Sequence, residues 1–335
     1  MNKHFYRVVF NRARGMLMVV SELVRSHSGE SRSSQKAESC ESKVQVAKLS
    51  SIGFLTCLSL GLLTVALPAQ ATTIRVDPNA DKTQRPTVIE SANGTTQINI
   101  QTPNSNGLSH NRYTQFDVSD KGVILNNSNN SSNTQLGGWI KGNEFLGATG
   151  GAKIILNEVN TKNPSQIAGY IEVAGQRAQV IIANAAGITC NGCGFINASR
   201  GTLTTGKPII ENGQLKGYEV SQGHIAIEGK GLDSTRQDYT DLIARTVSIN
   251  SSIHANNLNV VTGRNRVSAD AQQVTKLADD GSAVPVVALD VSALGGMYAG
   301  KIQMIGTEGG VGVRNAGSIG ASAGSVTISA DGRIE

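Results

Sequence analysis

From residue 72 onward, apolar and polar positions alternate in short runs, and no long helical period interrupts them. TQINIQ (96–101), GVILN (122–126), KIILNEV (153–159), GYIEV (169–173), AQVIIA (178–183), HIAIE (224–228), TVSI (246–249), NLNVV (257–261) and SVTIS (325–329) each read as a strand bounded by Gly, Asn, Asp or Ser. Two longer stretches share one order. SINSSIHANNLNVVTG (248–263) and VRNAGSIGASAGSVTISADGRI (313–334) both run polar turn, Ile-x-Ala, small polar turn, alternating strand. A period of roughly 20 residues with short strands and tight turns predicts a β-solenoid. Each coil lays its strands parallel on the previous coil, and alternate side chains fill a narrow interior of Ile, Val, Leu and Ala. Gly and Asn suit the corners, where left-handed backbone is needed, and asparagines can stack as hydrogen-bonded ladders. An all-β sandwich or barrel is the alternative; an aromatic content of only 4% favours the thinner core of a solenoid.

Some segments break the coil rhythm. KPIIENGQLKGYEV (207–220) carries Asn212-Gly213 between two strand-like runs, a strong hairpin signal, and is expected outside the solenoid as a small antiparallel pair. KLADDGSAVPVVA (276–288) is a candidate second excursion. NNSNNSSN (126–133) reads as a flexible turn or corner. GTLTTGKP (201–208) nearly matches the phosphate-binding loop of nucleotide-binding proteins. It fails at Pro208, which has no hydroxyl for magnesium, and it leads into the hairpin rather than a helix, so a strand end and turn is expected.

The first 71 residues differ in kind. A basic segment precedes the 16-residue apolar run 52–67, and Pro68-Ala69-Gln70-Ala71 follows it with a small-x-small pattern. The run is short for a membrane span, which needs about 20 residues, and the three parts together predict a secretory signal cleaved after Ala71; an uncleaved anchor is the alternative. The opening Met-Asn-Lys-x-Phe-x-x-Val stretch and the long pre-signal resemble the extended signal peptides of very large proteins secreted by Gram-negative bacteria. The leader also carries the charge. It holds 9 of the 30 basic and 4 of the 25 acidic residues, which leaves 21 of each in the remaining 264. The exported part is neutral and offers no net attraction to nucleic acid or anionic membrane.

Removing the leader leaves two of four cysteines, Cys190 and Cys193 in GITCNGCGF. Such a spacing serves a redox centre, half a zinc site or a structural staple. Export favours oxidation, zinc needs about four ligands, and the only histidines left are His110, His224 and His254. Strand-like runs flank the pair, whereas a redox-active pair of the thioredoxin kind opens a helix. A structural disulfide that fixes one turn is therefore expected, with little chain-entropy effect because the loop it closes is so small. No cofactor is expected. No Gly-x-Ser-x-Gly elbow or Ser/His/Asp set is evident, and Glu158, Glu172, Arg177 and Asp241 are scattered along the chain. Two rival readings remain: a solenoid polysaccharide lyase or hydrolase, if such side chains converge in a groove, and a self-sufficient adhesin that binds sugars through a solenoid face.

The run from 156 to 208, LNEVNTKNPSQIAGYIEVAGQRAQVIIANAAGITCNGCGFINASRGTLTTGKP, resembles the N-terminal secretion domain of two-partner secretion exoproteins, among them filamentous haemagglutinin, haemolysin-type proteins and contact-dependent growth inhibition toxins. YTQFDVSDKGVILNNS (113–128) and ALDVSALGGMYAGKIQMIGTEGGVGVRNAGSIGAS (288–322) fit the same family, and the cysteine pair looks most like the growth-inhibition branch. The resemblance implies an all-β, right-handed parallel β-helix with an N-terminal cap. It divides the chain into an extended signal peptide (1–71), a secretion domain (72–310) and the start of following repeats (311–335) of a longer parent. It also implies recognition by a dedicated outer-membrane β-barrel transporter with periplasmic POTRA domains, passage through the periplasm to the outer cell surface, and nucleation of folding there. Host or target cells would be met through the rest of the parent. The family turn Asn-Pro-Asn-Gly-Ile stands here as Asn184-Ala185-Ala186-Gly187-Ile188, without its proline. Asn184, Gly187 and Ile188 are the residues carried over for transporter recognition, with a purely structural turn as the alternative. The other motif, Asn-Pro-Asn-Leu, survives only as Asn143 and Leu146.

Overall fold

The computed structural model describes residues 6–11, 16–21, 73–147 and 150–335. The chain divides into two compact units, Met1–Ala66 and Leu67–Glu335. In the first, Tyr6–Asn11 and Met16–Ser21 pair antiparallel. The apolar run, Cys40, Cys57 and the cleavage position Ala71 lie outside the described residues.

In the second unit, the described residues form a parallel β-helix with three faces. Face A stacks Leu108–Asp117, Ile154–Val159, Ala178–Asn184, Ala198–Thr204, Tyr239–Ala244, Asn257–Thr262, Lys301–Gly306 and Val326–Ala330, each parallel to the next. Face B is shorter in each coil: Ser165–Ile167, Ile188–Cys190, His224–Ile227, Thr246–Ile249, Val287–Val291 and Gly312–Asn315. Face C runs from Thr96–Asn99 through Val123–Asn127, Tyr170–Gly175, Cys193–Ile196, Leu232–Ser234 and Ser252–Ala255 to Gly296–Ala299 and Ser318–Ala321. The strand alternation read from the sequence sends every second side chain inward. Val180, Ile182, Leu203, Leu242, Val260, Ile302 and Met304 from face A meet Ile188, Ile225 and Val247 from face B in one continuous core.

The first described strands of this unit close the N-terminal end. Thr73–Val76 pairs antiparallel with the outermost strand of face A, and Thr87–Glu90 pairs antiparallel with the outermost strand of face C. Both are four-residue antiparallel strands, and the first carries an irregularity between Arg75 and Val76, so the parallel succession ends there in short edges of the kind that resist further pairing. Tyr113 and Phe116, edge to face at 5.0 Å and fully buried, fill the end of the core. Two polar links tie the cap to the coils. Asn160 Nδ2 donates to Asp77 at 2.9 Å, and His110 bridges Gln84 (3.0 Å) and Glu158 (2.7 Å).

A second, antiparallel sheet sits on the outside of face A. Lys207–Glu211 and Gln214–Val220 form the expected hairpin, with Asn212 at φ 52° and Gly213 at φ 73°, as a type I′ turn requires. Asn265–Ser268 and Val274–Lys276 extend it to four strands. Leu215, Tyr218, Val220 and Val267 pack there against the outward side chains Leu156, Ile181, Ile243 and Val261. This explains why these face A strands are apolar on both sides over two adjacent columns, Leu156 and Ile181 in one and Ile243 and Val261 in the other. The second departure from the coils runs from 265 to 286, so it includes most of the expected 276–288 but starts earlier, and face B resumes at Val287. Its strands, NRVS and VTK, are too short and polar to stand out. The stretch 126–133 also differs from expectation. Asn126 and Asn127 are fully buried at the end of a face C strand, and Ser132–Thr134 pairs with Gly138–Ile140 in a small hairpin.

Candidate functional site

Residues 178–198 make one full circuit. Ala178–Asn184 runs along face A, a turn leads to Ile188–Cys190 on face B, a second turn to Cys193–Ile196 on face C, and Ala198 lies beside Ala178 one coil on. Both turns carry residues singled out by the sequence.

The first turn is built by Asn184, which is completely buried. Its Oδ1 accepts from Ala186 N–H at 2.9 Å, and its backbone carbonyl accepts from Gly187 N–H at 3.1 Å. Its Nδ2 donates to Asn163 O and Ser165 Oγ, both at 2.9 Å, in the preceding coil. One side chain thus shapes its own turn and fastens it to the neighbouring coil. Gly187 has φ 126°, and a Cβ there would lie 3.1 Å from His224 O. Ile188 is 2% exposed and belongs to the core.

Asn143 repeats this arrangement. It is buried, its Oδ1 accepts from Phe145 N–H at 3.0 Å, and its carbonyl accepts from Leu146 N–H at 3.2 Å. Its Nδ2 donates to Ile100 O (2.8 Å) and Asn126 O (2.9 Å), while Leu146 is fully buried in the core. Asn143 and Leu146 therefore form the same kind of turn as Asn184 and its neighbours. Other asparagines act as corner staples. Asn197 Nδ2 donates to Val173 O and Gly175 O, and Asn256 Nδ2 to Thr235 O and Gln237 O. Side-chain ladders are the lesser use, as where Asn126 donates to Asn99 at 2.9 Å.

At the second turn, Cys190 and Cys193 are joined as a disulfide, with Cα atoms 5.3 Å apart. Both side chains point into the core, at 0% and 2% exposure, and Gly192 between them has φ 86°.

The scattered charged residues keep separate company. Glu158 pairs with His110 and lies 3.5 Å from Arg112. Buried Glu172 accepts from the N–H groups of Gln135 and Leu136, each at 2.7 Å, and so anchors the small hairpin. Arg177 meets Asp238 at the surface. Asp241, fully buried, accepts from Arg200, Thr202 and Asn259; burial raises its pKa against the pull of Arg200. The structure does not bring these four together. The stretch 201–208 runs from a face A strand into the outer hairpin, and no helix N-terminus is there to cradle a phosphate.

Comparison with known proteins gives a consistent picture. Residues 72–335 match the family described as the TPS secretion domain, and residues 1–50 match the Extended Signal Peptide of Type V secretion system. The chain is 56% identical over 334 residues to Toxin CdiA of Yersinia pestis and 44% identical over 337 residues to tRNA nuclease CdiA-2 of Burkholderia pseudomallei (strain 1026b). Each match covers the whole of this chain and 10% of the relative, so the chain spans about a tenth of the length of these relatives. The crystal structure of the filamentous hemagglutinin secretion domain superposes with a TM-score of 0.67 at 30% identity, covering 76% of this chain and 99% of that one.

Proposed function

Because the chain belongs to the family of TPS secretion domains, we propose that it serves as the secretion and folding-nucleation module of a much longer exoprotein, recognised by a cognate outer-membrane transporter. The extended signal peptide and the secretion domain give its route, through the periplasm to the outer surface of a Gram-negative bacterium. The observation that carries nucleation is the cap. The first exported residues close both long sheets with antiparallel strands, so parallel coils grow in one direction only, away from the cap.

The transporter's periplasmic POTRA domains are the proposed receptor. In the folded domain Asn184 and Ile188 are buried and Gly187 is packed against His224. Recognition through these three residues therefore belongs to the chain before it folds; once folded, they hold the turn. The disulfide is proposed to fix the corner between faces B and C and to do no redox work, since Cys190 ends a strand and both sulfurs lie in the core. Cleavage of the leader after Ala71 precedes export. The nuclease activity in the names of relatives is assigned to the rest of those proteins, and the parent of this chain to the growth-inhibition class, on its 56% identity to Toxin CdiA.

The test is expression with and without the cognate transporter, followed by protease treatment of intact cells. The domain should become protease-accessible at the surface only when the transporter is present. Surface display without the transporter, or periplasmic retention with it, would refute the proposal.

A further inference from the structure

The outer side of face A is roofed only in part. The column through Ala183, Ile243 and Val261 lies under the antiparallel sheet. Of the two columns beside it, one reaches the surface and the other is buried except at its last rung, Gln303. Arg200 stands beside Tyr239 and Asn257 beside Lys301 in one; Thr202, Asp241, Asn259 and Gln303 follow in register in the other. Successive coils set these rungs about 4.8 Å apart. Arg200, Tyr239, Asn257, Asn259, Lys301 and Gln303 line a groove of about 300 Å³, walled by Asp270 and Gln272 from the turn between the last two strands of the outer sheet.

The groove is held in shape from below. Buried Asp241 accepts from Arg200 and Thr202 (2.9 Å each) and from Asn259 Nδ2 (2.8 Å). Arg200 also donates to Asp270 O at 3.0 Å and sits 4.4 Å from the centre of the Tyr239 ring. Tyr239 is 40% exposed. The Tyr239 hydroxyl, Gln303 amide, Lys301 ammonium and the Oδ1 atoms of Asn257 and Asn259 make no hydrogen bond to any described residue. The charges balance, Arg200 and Lys301 against Asp241 and Asp270. An exposed ring beside unspent amide donors and acceptors, with no net charge, suits a ligand that is apolar on one face and rich in hydroxyls at its edge.

We propose that this groove binds a neutral pyranose saccharide, with one sugar ring against Tyr239 and hydroxyls bonded by Asn257, Asn259 and Gln303. The rung spacing is close to the length of one sugar unit, so a linear oligosaccharide lies along the solenoid axis. The site is independent of the secretion reading, because binding is read on protein that has already been exported and folded.

The experiment is titration calorimetry of the exported protein with chitotetraose, maltotetraose and mannotetraose. Saturable binding of at least one is expected. Tyr239→Ala should weaken it tenfold or more and Gln303→Ala severalfold, while Tyr239→Phe stays within a fewfold of the parent and Tyr298→Ala, on face C, leaves it unchanged. Gln303→Ala, at a side chain that bonds no described residue, keeps the test valid if Tyr239→Ala fails to fold. No saturable binding of any of the three overturns the proposal. So does binding that neither groove variant weakens, or uptake only of a heparin tetrasaccharide that salt abolishes.

Discussion

Replacing Asn184 with alanine removes three hydrogen bonds at once. Nδ2 no longer reaches Asn163 O or Ser165 Oγ, and Ala186 N–H loses Oδ1. At about 1 kcal/mol for each bond the loss is roughly 3 kcal/mol, and fully buried Ser165 has no easy access to water in compensation. For a domain of this size a loss of that order lowers Tm by about 6–12 °C. The assay is circular dichroism melting of the exported protein, paired with measurement of export of the same variant through the cognate transporter. Asn143→Ala is the matched control, since it also loses two donated bonds and one accepted bond. If export follows Tm alike in both variants, Asn184 acts only through the fold. If Asn184→Ala loses far more export than Asn143→Ala at equal Tm, Asn184 is read by the transporter in the unfolded chain. An unchanged Tm in Asn184→Ala would refute the structural reasoning itself.

Other consequences are as direct. Gly213→Val places a β-branched residue at φ 73° with its Cβ 2.9 Å from Asn104 Nδ2, and should cost about 1–3 kcal/mol; an unchanged urea midpoint would count against the turn assignment. Hydrogen bonds from Asn160 and Asn79 hold Asp77 below the ordinary carboxylate range. Its contribution is present above its unfolded pKa and is lost as pH falls through the folded value, so Asp77→Asn should flatten the acid limb of a Tm–pH profile, and an identical limb would exclude this link. Cys190 and Cys193 should give almost no free-thiol labelling in exported protein and no insulin-reductase turnover; stoichiometric zinc or turnover would overturn the staple.

Legibility followed strand length and the polarity of what points inward. The runs around 154–159, 178–184 and 257–262 were readable because they alternate over six or seven residues. Ser165–Ile167 and Leu232–Ser234 were not, since three residues hold less than two periods of alternation. Leu108–Asp117 is ten residues long and still did not stand out as a strand, because LSHNRYTQFD sends Ser109 and Asn111 inward. Their polarity is absorbed by Gln101, whose N–H donates to Asn111 and whose carbonyl accepts from Ser109, a contact visible only once the cap is folded. The Asn-Gly hairpin was a local signal and stands where it was read; the cysteine spacing was a local signal too. The equivalence of Asn143 and Asn184 was hidden, because it lies in where Nδ2 points across coils.

The missing proline shows what that equivalence implies. The family turn has proline where this chain has Ala185, yet Asn184 still closes the turn through Ala186 N–H and Gly187 N–H. The side chain of Asn184 thus does much of the shaping that proline would do by restricting φ. Ala185 tolerates the proline as well. Its N–H makes none of the turn's backbone bonds, its φ is not positive, and it borders an open groove of about 310 Å³. Asn184 before it ends a strand, the conformation proline asks of its predecessor. Ala185→Pro should therefore stabilise the folded domain by about 0.4–1 kcal/mol, by narrowing the unfolded ensemble without disturbing the Asn184 bonds. The readout is the urea midpoint at unchanged m-value, with Ala186→Pro as the contrast. That variant deletes the N–H that Asn184 Oδ1 accepts from and should destabilise. Destabilisation by Ala185→Pro would mean that the turn has settled into a shape the family proline cannot enter, and that the asparagine network has replaced the original geometry rather than preserved it.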